Sequence, residues 1–84
     1  MHFVYVLKSK KDGKLYISCS GDLGKRLREH AEGKVRSTAF RRPLELVYSE
    51  TFDSVYDAFR RERFYKTAVG KRIVKKLIAN CGIG

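Results

Sequence analysis

Tryptophan is absent, proline occurs once, and cysteine only twice along 84 residues. No apolar stretch approaches the ~20 residues that a bilayer-spanning helix requires, so no membrane-spanning helix is expected. The opening residues, MHFVYVLKSKK, put their apolar part ahead of their charges and carry no small-residue cleavage site, unlike a secretory signal. Cys19 and Cys81 give neither a metal-ligand spacing nor a disulfide framework, and we read them as reduced thiols of a cytoplasmic protein. Acids are also scarce: nine Asp and Glu stand against 19 Lys and Arg, a net charge of +10. A positive field that dense on a small surface favours polyanions, with nucleic acid the first candidate partner. An anionic membrane is a weaker one, because no segment sets a clean apolar stripe against an exposed Lys/Arg face. The plain alternative is a solvated basic surface that only aids solubility.

What is present suits a small folded domain. A chain of this length makes one domain, 1–84, burying about 60–65% of the surface its unfolded form exposes. Residues 2–8, HFVYVLK, are β-branched and aromatic and too short for a stable helix, which predicts a strand. KKDG follows, and Asp-Gly between two such runs is a hairpin signal. KLYISC, 14–19, is the expected return strand. A turn of even length, either Asp12-Gly13 alone or Lys10–Gly13, pairs odd residues with even ones. Because side chains alternate along a strand, Tyr5 and Tyr16 then share a face.

A helix is expected over 22–32, capped by Ser20 or Asp22 and ended by Gly33 in the left-handed conformation. Arg26 and His30, four apart, are neighbours on it, and His30 lies on its apolar side with Leu23, Leu27 and Ala31. GKVRSTAFRRP, 33–43, is a basic loop, and LELVYSETF, 44–52, a third strand. Ser54 caps a second helix over 54–67. Gly70 punctuates, and 71–79 is a final amphipathic helix with Ile73, Val74, Leu77 and Ile78 inward. The order is β-β-α-β-α-α: an α/β (α+β) fold with a small, mainly antiparallel three-stranded sheet flanked by helices.

One residue breaks the pattern. At about 100° per residue, Val55, Ala58, Phe59, Tyr65 and Val69 fall within about 60° of Glu62, which therefore sits inside the apolar stripe. A carboxylate turned toward a core must be paired, hydrogen-bonded or metal-bound. Three accounts stay open: an ion pair, with Arg26 as a candidate partner; a metal ligand at the edge of a cleft; or a rim position in water.

FVY at 3–5, YIS at 16–18, Arg26, His30 and a glutamate on the next long helix together resemble the GIY-YIG nuclease family. YVLKSKKDGKLYI and RRPLELVYSE look more closely like its small standalone bacterial members, and the likeness covers nearly the whole chain. It implies a GIY-YIG-type fold and a metal-dependent DNA endonuclease. Tyr5 and Tyr16 would be the paired motif tyrosines. Arg26 would hold the scissile phosphate, His30 would assist proton transfer, and Glu62 would bind one divalent ion, Mg2+ or Mn2+. Phe3 and Ser18 stand where the family's name has glycine, and Cys19 where some members carry lysine. The chemistry is coherent. Arginine can present two parallel donors to a phosphate. Ionising a tyrosine of pKa ~10 at neutrality costs ~4 kcal/mol, so His30 is the simpler base.

Lys34, Arg36, Arg41 and Arg42 surround Phe40 in the basic loop, a mix suited to phosphate contacts with one stacking aromatic, and Arg61 lies with Arg60 and Arg63 on the polar side of the second helix. Lys71, Arg72, Lys75 and Lys76 form a further basic cluster, equally consistent with a solvated helix face. The partner expected is DNA, or RNA, bound by a monomer, with targeting left to a protein partner. Two rivals to the nuclease remain: a degenerate domain that binds nucleic acid without cutting it, and an adaptor docking on an acidic protein.

Overall fold

The computed structural model describes residues 1–81; of Cys81 only the backbone is described, so its expected thiol state lies outside the described residues. Strands β1 (His2–Ser9), β2 (Leu15–Ser20) and β3 (Leu44–Phe52) and helices α1 (Leu23–Ala31), α2 (Val55–Tyr65) and α3 (Ala68–Cys81) follow the expected order. The basic loop also holds a 3-10 turn, Ala39–Arg41. The sheet is antiparallel throughout, in the order β2-β1-β3, so the β-branched first strand is central and buried.

The hairpin uses the four-residue loop. Ser9 and Lys14 close it, Gly13 alone takes positive φ (74°), and its N–H donates to the Ser9 carbonyl at 2.8 Å. The even loop sets Tyr5 opposite Ser18 and Leu7 opposite Tyr16. Tyr5 and Tyr16 therefore share the face that α1 covers. Val4, Val6 and Ile17 occupy the other face, against Ala58 and Tyr65 of α2 and Val74 of α3. An irregularity between Val6 and Leu7 inserts Val47 as an extra residue in β3.

Asp22 caps α1 through the Lys25 N–H at 3.0 Å, and Gly33 ends it at φ 79°. The third helix starts earlier than its apolar pattern suggests, at Ala68, because Thr67 caps it: its hydroxyl accepts from the Gly70 N–H at 3.0 Å. Gly70 is thus not a boundary but a close approach. A Cβ there would lie 1.8 Å from the Phe64 carbonyl oxygen. Ile73, expected inside, is 39% exposed, while Val74, Leu77 and Ile78 pack inward.

The two helical glycines should respond with opposite sign. Gly70→Ala forces α2 and α3 apart and should cost about 2–3 kcal/mol. Gly24→Ala meets nothing closer than Arg28 Nη1 at 3.7 Å and should add about 0.5 kcal/mol. Urea denaturation of the two variants measures both.

Candidate functional site

Helix α1 packs across the tyrosine-bearing face of the sheet and delivers His30 to it. His30 is fully buried, with a partner on each ring nitrogen: the Tyr5 hydroxyl on Nε2 at 2.9 Å and the Thr38 hydroxyl on Nδ1 at 2.8 Å. Thr38 Oγ1 donates onward to the Val35 carbonyl at 3.4 Å. The direction of the chain follows: Nδ1–H donates to Thr38, and Nε2 accepts from the Tyr5 O–H. The imidazole edge also meets the Tyr16 ring, centroids 5.4 Å apart at 66°.

Burial, and then the Arg26 charge, hold the His30 pKa below the ordinary histidine value. Burial likewise pushes the Tyr5 hydroxyl up, against the opposing pull of the Ser18 hydroxyl and the Arg26 guanidinium. Tyr5 and His30 are inaccessible to a ligand, so they position their neighbours. Tyr16 and Arg26 are the members of this group that reach solvent. The Tyr16 hydroxyl accepts from Ser37 Oγ at 3.5 Å. The Arg26 side chain is 37% exposed and pairs with Glu29 at 3.1 Å, not with Glu62.

Glu62 lies on the other side of the sheet. The buried stripe of α2 runs through Ala58 and Tyr65, whereas Val55, Phe59 and Val69 are about half exposed. Glu62 and Arg61 therefore flank that stripe, one reaching toward β2 and the other toward β3. One Glu62 oxygen accepts from Cys19 Sγ at 3.1 Å and the other from Lys66 Nζ at 2.7 Å, with the carboxylate side chain 15% exposed. Burial and the adjacent carboxylate push the Cys19 thiol up to about 12, so it is a protonated donor at neutrality. Among the described residues, no group of three His, Cys, Asp or Glu gathers to hold a metal. Tyr16 and Ser18 face α1 while Cys19 faces α2, so Glu62 and the tyrosine group sit on opposite faces of β2, whose outer edge has no partner strand among the described residues.

The expected nucleic-acid contacts divide. Arg36 is exposed, as is Phe40, at 81%. Lys34 pairs with Glu32 at 3.1 Å in solvent. Arg42 instead folds over Gly33, donating to the carbonyls of Ala39 at 3.0 Å and Ala31 at 3.5 Å, which closes the end of α1. Arg61 is not on the polar side of α2: it turns to the sheet and donates to Glu50 at 3.2 Å and to the Tyr65 hydroxyl at 3.0 Å. Glu50 also accepts from the Tyr48 and Tyr65 hydroxyls, and a cleft of about 790 Å³ beside β3 is lined by Glu50 and Arg61 of this group with Asp57, Arg60 and Phe64. Thr38, Glu50 and Lys66 carried no sequence signal of these roles, because each depends on a partner that only the fold supplies or, for Lys66, on which helix face is buried.

Residues 1–76 match the model of the GIY-YIG catalytic domain. The chain belongs to the GIY-YIG family. Members of this family are nucleases. A UPF0213 protein of Staphylococcus saprophyticus is 42% identical over 67 residues, covering 79% of this chain and 80% of that protein. A UPF0213 protein of Bacillus subtilis is 38% identical over 72 residues, covering 84% and 72%. The solution NMR structure of a UPF0213 protein from Bacillus halodurans superposes with a TM-score of 0.58 at 34% identity, covering 90% of this chain and 83% of that one. Tyr5 and Tyr16 have unequal surroundings, one sealed and one open. No helix among the described residues is long and apolar enough to cross a membrane.

The His30 chain has a pH signature. The unfolded histidine gains its proton near pH ~6.5, the folded one only at lower pH. Below ~6.5 the unfolded state therefore binds more protons, and stability should fall as pH drops through that window toward the lower folded value. Thermal melts across pH 4.5–8 should show this, and His30→Gln should flatten it. Nitrogen-15 shifts should identify the Nδ1–H tautomer of the wild type.

Proposed function

We propose that this chain is an endonuclease that hydrolyses a DNA phosphodiester at the outer edge of β2, between the Tyr16–Arg26 group on one face and Glu62 on the other. The observation that carries this is that two partly exposed groups stand over the one buried Tyr5–His30–Thr38 chain, Tyr16 against the His30 ring and Arg26 beside the Tyr5 hydroxyl. The +10 charge supports a polyanionic substrate.

Glu62 fits a hard divalent ion such as Mg2+ or Mn2+. Magnesium uses one or two protein carboxylates and keeps much of its water shell, and the Lys66 ammonium now on Glu62 belongs to a flexible, 53% exposed side chain. Cys19, held as a thiol, leaves Glu62 the one anionic donor there. When bound, such an ion supplies charge neutralisation at a phosphate oxygen and acidifies bound water.

The chain's own residues have separable tasks. Arg26 binds the phosphate, leaving Glu29 for a tighter planar match. Tyr16 is the exposed hydroxyl within reach of a substrate and exchanges the proton at its phenolic oxygen. His30, neutral and edge-on to it, fixes the ring's position, and Tyr5 and Thr38 fix His30. The direct-base role open to His30 from sequence is not favoured, because both nitrogens are committed inside the core.

A second account, a binding module without cleavage, draws support from one observation: Glu62 is neutralised by Lys66 and shares no face with the tyrosines. Nicking of plasmid and of short oligonucleotides under Mg2+ or Mn2+ separates the two. The nuclease requires ion-dependent cleavage lost by at least ~100-fold in Arg26→Ala and Glu62→Ala. Salt-sensitive binding that survives Glu62→Ala, with no cleavage of DNA or RNA under either ion, would establish the module instead.

A further inference from the structure

On the face of β2 away from Tyr16, a cleft of about 430 Å³ opens between the hairpin, the 3-10 turn and α3. Leu15 and Ile17 form its floor, and Lys14, Arg41, Lys71 and Lys75 stand around it with Gly13. No acid lines it, and none of the four cations has a carboxylate within ion-pair distance among the described residues. Asp12, the acid nearest in the turn, accepts from the Lys14 N–H at 2.9 Å and serves the hairpin. Lys71 and Lys75 are one helical turn apart, where like charges repel. Four cations from three elements line this concavity, with Asp12 near Lys14 and Arg41 but outside the lining, and together they form an anion site; Arg60 and Arg63 bring only two charges, from one helix, to their own cleft.

Its position gives it a function. Ile17 in the floor and Cys19 beside Glu62 lie on the same face of the same strand, two residues and ~7 Å apart. We propose that this cleft holds a backbone phosphate of the same nucleic-acid strand whose phosphate is bound at Arg26, so that the strand lies against the outer edge of β2 and contacts both of its faces. This rests on the nucleic-acid substrate proposed for the Tyr16–Arg26 site and assigns that substrate its path.

The test compares salt dependence of duplex DNA binding for the wild type, Lys71→Ala/Lys75→Ala and the control Arg60→Ala/Arg63→Ala, which removes the same charge elsewhere. Each phosphate no longer neutralised flattens the log–log slope by ~0.9, so the lysine pair, which shares one phosphate, should flatten it by about 1 and the arginine pair by much less. Inorganic phosphate alone should move the amide resonances of Lys14, Lys71 and Lys75 in the wild type. Salt-dependent binding with equal slopes in both double variants would overturn the cleft and leave the Tyr16–Arg26 substrate standing. A wild type that binds no DNA would overturn both, even if free phosphate still moved those amides.

Discussion

A buried imidazole with a partner on each nitrogen ties three separate parts of this chain together. Through His30, the Tyr5 hydroxyl of the central strand is joined to α1, and through Thr38 to the basic loop. Removing any one member would strand a polar group inside the protein, at about 1–3 kcal/mol. The chain thus sets where the loop's Ser37 stands against Tyr16, and where α1 carries Arg26. A loop of mostly basic and polar residues has little apolar surface to anchor it otherwise; Val35 and Thr38 are its buried members.

The second organising element is the edge strand β2. Its alternation sends Tyr16 and Ser18 to one side, and Leu15, Ile17 and Cys19 to the other. The groups that could act on a substrate are consequently divided between two faces and meet only at the strand's outer edge. Glu62 belongs to the second face because α2 crosses there with its buried stripe centred on Ala58 and Tyr65. Its neighbour Arg61 points the opposite way and is absorbed by Glu50 on β3.

Much of this was legible in the residues themselves. The even hairpin loop determined that Tyr5 and Tyr16 share a face, because parity is a counting property of local sequence. Strand and helix positions followed from periodicity for the same reason. The anomaly of Glu62 was visible too, but its partner was not: Arg26, the candidate from sequence, pairs with Glu29 one turn along its own helix, while Lys66 reaches Glu62. Gly70 looked like punctuation because a close backbone approach and a helix stop favour the same residue. Arg42 and Arg61 looked like surface charge, since the carbonyls of Ala31 and Ala39 and the carboxylate of Glu50 come to them only through the fold. Burial of both Tyr5 and His30 is likewise a tertiary outcome that spacing along one strand and one helix does not specify.

The sheet's two margins are unlike. The extra residue Val47 interrupts the register of β3 against β1, and such an insertion bends and twists a strand locally. A flat, regular margin offers a template on which another chain can crystallise its own backbone into fibrils. Here the irregular β3 margin, with Glu45 exposed along it, is a poor seed for that growth.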